Sequence, residues 1–171
     1  MALQSRIESD CFIAGTLRAQ VINLPANTVD NAAVGGGANI QAEKLEHSFS
    51  KVLAQDSDAT AVSQTRVVHV VRGTTGDLVY FEGGVVTPAV DAGTSEPPEI
   101  EIDLLVNGTS ILATPLVLDS ANTAYTPETG VIDTSALVVG DVIEIQITTD
   151  AGGGTQAEGV FASVTIYELP L

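Results

Sequence analysis

The longest regular pattern in the chain runs from residue 137 to residue 168. Ile143, Ile145 and Ile147 alternate with Glu144, Gln146 and Thr148; Val160, Ala162, Val164 and Ile166 alternate with Phe161, Ser163, Thr165 and Tyr167. Successive strand side chains point to opposite faces, so this alternation predicts two long strands, each with one buried and one wet face. The glycine-rich 150–154 between them predicts a turn, and the pair reads as a hairpin. Residues 99–106, EIEIDLLV, alternate in the same way, with Ile100, Ile102, Leu104 and Val106 inward and Glu99, Glu101 and Asp103 outward. Asn107-Gly108 comes next, and both turn positions tolerate positive φ, which makes this the strongest short-range hairpin signal in the chain.

Shorter strands are expected at 66–72 (RVVHVVR), 78–81, 85–90 and 116–118. Gly83-Gly84 reads as a bulge or bend, and Pro88 places its strand at an edge or a strand end. About eight short strands with regular turn signals and no helix of useful length predict an all-β sandwich over 66–171. A jelly roll is the first choice. An immunoglobulin-like sandwich is second, because the chain has one cysteine, no tryptophan and so no Cys-Trp-Cys core.

Residues 1–65 lack this regularity. Only 40–54 shows helical spacing, with Ile40, Lys44, Leu45, Phe49, Val52 and Leu53 near one side; Ser48 and Ser50 weaken it, and an extended reading fits as well. The small polar stretch 56–64 reads as a hinge. The expected organisation is therefore an extended N-terminal arm (1–65) with at most one short helix, followed by the sandwich domain (66–171). The arm has too few large apolar residues to fold alone, and its apolar positions need a surface to lie on. Fully extended, sixty residues reach roughly 200 Å, so such an arm can span subunits. The expected contacts are Ile13, Leu17, Ile22, Leu24, Ile40, Leu45, Phe49 and Leu53, with Arg18, Lys44 and Lys51 pairing acids on the partner.

Charge sharpens the division. Residues 1–72 hold all six Lys and Arg against seven acids, whereas the rest of the chain holds fifteen acids and no base, within a net charge of −16. A surface this negative repels phosphate backbones, so no nucleic-acid partner is expected. No apolar run approaches the ~20 residues of a membrane helix, and no secretory leader is expected from the first residues. The scarcity of aromatics (four Phe, three Tyr) argues against sugar-stacking platforms.

Candidate chemistry is thin. His69, inside 66–72, is expected to be structural or at the surface, because one strand histidine is no metal site. Gly35-Gly36-Gly37 lacks the Lys-Ser/Thr of a phosphate loop. No Ser lies in a G-x-S-x-G elbow. Glu99, Glu101 and Asp103, and Asp141 with Glu144, could in principle bind Ca²⁺ or serve a glycosidase, but a solvated negative face is the simpler reading. No enzyme activity, cofactor or metal is expected.

Two stretches resemble known proteins. Residues 28–49, TVDNAAVGGGANIQAEKLEHSF, resemble N-terminal regions of small virion proteins from tailed-bacteriophage structural gene clusters. Within 102–168, IDLLVNGTSIL, VLDSAN, GDVIEIQ and AEGVFASVTIYE are similar to the jelly roll of phage head decoration (capsid cement) proteins and of some fibre or knob domains. The added glycines of 35–37 depart from the arm's pattern. The resemblance implies a homotrimer on the outer surface of a capsid, bound to the major capsid protein. The alternative it leaves is a tail-fibre or receptor-binding knob, with Tyr80, Tyr125, Phe161 and Tyr167 at a tip.

Overall fold

The structure is a computed structural model that describes residues 47–93 and 95–169. All of these belong to the unit spanning Ile40–Leu171. They form twelve strands and no helix: β1 (His47–Ala54), β2 (Gln64–Val70), β3 (Thr75–Gly84), β4 (Val90–Asp91), β5 (Glu99–Val106), β6 (Thr109–Ser110), β7 (Leu116–Leu118), β8 (Glu128–Thr129), β9 (Ala136–Val138), β10 (Val142–Asp150), β11 (Gly154–Thr155) and β12 (Phe161–Glu168).

Two five-stranded antiparallel sheets carry the fold. The first runs β1-β12-β3, with β8 and β9 pairing different ends of β3; the second runs β2-β10-β5, with β6 and β7 pairing different ends of β5. The chain crosses between sheets at β1 to β2 to β3 to β5, stays within the second sheet from β5 to β7, and then alternates again through β9, β10 and β12. Eight principal strands in this order make the two interlocked Greek keys of a jelly roll.

The alternation in the sequence explains the core. Ile143 and Ile145 on β10, Ile100, Ile102 and Leu104 on β5, and Val164 and Ile166 on β12 are all 0 % exposed. Each buried Ile or Leu contributes about 1.5–3 kcal/mol over an exposed one. The β5–β6 turn follows its two-residue chemistry: Asn107 has φ +52° and Gly108 φ +77°. Changing Gly108→Val puts a β-branched side chain in that left-handed region and should cost about 1–2 kcal/mol. A urea midpoint equal to that of the unchanged protein would contradict this.

Three expectations are revised. Residues 137–168 are not a hairpin. β10 pairs β2 and β5, whereas β12 pairs β1 and β3, so the two strands face one another across the core from opposite sheets. Alternation reports that a face is buried and does not say which strand lies alongside. The connecting glycines serve other neighbours: Gly154 is the β11 partner of Asp91 on β4. Second, 47–54 is a strand. β1 pairs β12 from His47↔Glu168 to Ala54↔Phe161, so the sandwich takes in residues expected in the arm, and no helix forms at 47–54. Third, Gly83-Gly84 do not separate two strands: they are the last residues of β3, and the strand expected at 85–90 is absent, with only the bridge Thr87↔Glu158 before β4 begins at Val90. A Cβ on Gly83 would come within 2.8 Å of Ile102 Cδ1 in the facing sheet, so this glycine lets the sheets approach.

Candidate functional site

Both sheets end on the same side of the sandwich, in strands that pair with one neighbour each among the described residues. β1 has β12 as its neighbour, and β2 has β10. On β1, Phe49, Lys51 and Leu53 share the inward face. On β2, Arg66 lies across from Ile145 and His69 across from Ile143, so both share the phase of core isoleucines. Charged and aromatic side chains thus fill the seam where the core reaches water.

The seam is a chain of specific contacts. Lys51 Nζ sits 5.1 Å from the centre of the Phe49 ring. That ring meets His69 edge-on, with centroids 4.9 Å apart and an interplanar angle of 63°. His69 Nε2 pairs with Glu168 Oε1 at the end of β12. The second Glu168 oxygen accepts the backbone N–H groups of Gly73 (2.8 Å) and Arg72 (3.2 Å), where the chain leaves β2. Glu168 is only 7 % exposed. Burial pushes its carboxyl up, but the His69 hydrogen bond and the two backbone donors outweigh this and hold it below the ordinary glutamate range.

Further along the seam, a cleft of about 330 Å³ is lined by Lys51, Leu53, Ala54, Arg66 and Val68, together with Val52 and Val67. Arg72 is exposed at the end of the same side. The described residues include three Lys or Arg against seventeen Asp or Glu, a net of −14, and all three cations lie on this one side. None of them forms an ion pair with a described carboxylate.

The two sheet faces differ. The outer face of the β2-β10-β5 sheet carries Glu99, Glu101, Asp103, Glu144 and Asp150. That of the β1-β12-β3 sheet is mainly hydroxyl-bearing and aromatic, with Ser50 Oγ 2.9 Å from Thr165 Oγ1 and Tyr80 Oη 3.0 Å from Thr129 Oγ1. No group of three His, Cys, Asp or Glu among the described residues is placed to hold a metal. Asp141 is committed to a turn: its oxygens accept from Asn107 Nδ2 and from the Val138 N–H, both at 2.8 Å. The aromatic residues considered for a tip do not gather at one. Phe161 and Tyr167 lie six residues apart on β12, about 20 Å along a strand.

Of the contact residues expected from the sequence, Ile13, Leu17, Arg18, Ile22, Leu24, Ile40, Lys44 and Leu45 lie outside the described residues. Phe49 and Lys51 are brought together on the seam. Leu53 is 4 % exposed within the chain's own core, so its side chain is not available to a partner. Arg66 and Glu168 were not anticipated. Each is a charge in phase with inward apolar residues, and that is the signal that marks them.

No protein-family model matches the chain, and no curated protein matches it. Among solved structures it is similar to a chain of the "Cyanophage Pam1 capsid asymmetric unit", at 11 % identity and a TM-score of 0.46, over 85 % of this chain and 99 % of that one. A likeness at that level carries no inference about function.

Proposed function

We propose that this chain is a non-enzymatic structural component of a tailed-bacteriophage virion, and within that class a cement protein on the outer surface of the capsid. The resemblance of 28–49 and 102–168 to virion and decoration proteins supports the class. The observation that carries the reading is the segregation of charge on the jelly roll. One sheet face is acidic and made for water, and the only described cations lie on the seam that begins at β1, directly after the arm. In this reading the arm lies on the major capsid protein through Ile13, Leu17, Ile22, Leu24, Ile40 and Leu45, with Arg18 and Lys44 pairing acids there. The body projects outward as part of a homotrimer. Several modest contacts per copy then sum by avidity against the pressure of packaged DNA.

The test mixes full-length protein with expanded capsids that lack it, followed by electron cryomicroscopy. Saturable density with the arm along the capsid surface is the expected result. Binding to host cells with none to capsids would replace this reading with the tail-fibre or receptor-binding knob. Hydrolysis of host polysaccharide abolished by Glu99→Ala or Glu101→Ala would overturn the non-enzymatic assignment.

A further inference from the structure

The two lateral sides of the sandwich are complementary. The β1–β2 side holds the cleft of about 330 Å³ with Lys51 and Arg66, both without a carboxylate partner among the described residues. Two exposed valines lie among its lining residues, Val52 at 64 % and Val67 at 56 % exposure. On the opposite side, residues 107–138 cross from β6 and β7 in one sheet to β8 and β9 in the other, tied by the bridge Leu112↔Ile132. That segment carries Asp119, Glu128 and Asp133 and no Lys or Arg. It too exposes valines: Val117, Val131 and Val138.

From this we infer that copies of the chain associate head to tail, the β1–β2 seam of one docking on the 107–138 edge of the next, with Lys51 and Arg66 facing Glu128 and Asp133. This deepens the multimeric reading above and rests on it. Two chains of net charge −16 repel in most orientations; this one brings opposite charges together. Exposed ion pairs contribute little individually, so the valines supply the buried area and the charges set the register. A patch docking on a different patch is a heterologous contact, which closes into a ring when the rotation allows.

A rival role exists for the same side chains. Inward-pointing charges on edge strands block unwanted edge-to-edge pairing. The two roles give opposite results on neutralisation. Docking requires that Lys51→Thr/Arg66→Thr weaken a defined oligomer; guarding requires that it promote aggregation.

The experiment measures the mass of the full chain by light scattering over a concentration series, with circular dichroism confirming that each variant stays folded. Wild type should show concentration-dependent association. Lys51→Glu/Arg66→Glu should weaken it about tenfold or more, equivalent to at least about 1.4 kcal/mol. Glu128→Lys/Asp133→Lys should do the same, and mixing the two reversed variants should restore association between them. A monomeric wild type, aggregation on neutralisation, or no restoration on mixing would each overturn the interface. A wild-type oligomer indifferent to all these changes would retire this interface and leave the virion reading standing, which capsid binding tests separately.

Discussion

Replacing Phe81 by alanine is expected to lower the melting temperature by about 12 °C. Phe81 is the one aromatic side chain among the described residues with no exposed surface. It sits on β3 opposite Val164 of the adjacent strand, and its carbonyl accepts the Gly130 N–H at 2.9 Å. Gly130 is packed so closely on the ring that a Cβ there would lie 2.8 Å from Phe81 Cδ1. Truncation would leave a cavity bordered by both sheets and by the 130 turn, none of which can collapse without breaking a ladder. Buried Phe-to-Ala changes cost about 4 kcal/mol, and each kcal/mol moves the midpoint of a domain this size by about 2–4 °C. The control is Tyr125→Ala: that side chain is 72 % exposed, and its loss should stay within about 0.5 kcal/mol. A Phe81→Ala midpoint within about 3 °C of wild type would mean that the ring is not the centre of this core.

The second large effect lies at Glu168. Glu168→Ala removes the acceptor of the His69 contact and of two backbone N–H groups at once. Unsatisfied buried donors of this kind cost about 1–3 kcal/mol each in unfavourable cases, so a net loss of about 3 kcal/mol is expected. The pH dependence has a definite sign. Because the folded carboxyl titrates below its ordinary value, its contribution is fully present above the unfolded glutamate range, about pH 4.3, and is lost as the pH falls through the lower folded value. Urea denaturation of wild type and Glu168→Gln between about pH 5.5 and 2 should show a stability gap that is constant at the upper end and narrows below about pH 4. A gap that widens on acidification would reverse the assignment, because it would mean that the protonated form is the one the fold prefers.

The hydroxyl-bearing outer face of the β1-β12-β3 sheet bears on both roles considered for the chain. It carries Tyr80 and Tyr167 without forming the tip that a receptor-binding knob would present. The acidic opposite face has no described cation against it.

Read alone, the sequence settled the composition of the layers. Alternation at 99–106, 142–150 and 161–168 marked which side chains are buried, because period two is imposed by the strand itself and needs no knowledge of neighbours. Asn107-Gly108 marked its turn for the same local reason, since positive φ is a property of two adjacent residues. Partnership belongs to the tertiary structure. Whether β10 lies beside β12 or across from it depends on the closing of β2, β5, β1 and β3 around the core, and no local pattern encodes that choice. The same holds for 47–54, where a weak helical spacing gave way to eight residues of ladder with β12. Lys51 on β1, Arg66 and His69 on β2 and Glu168 on β12 come from three separate segments, and only the meeting of two sheet edges makes them one site, because long-range contacts are set by packing.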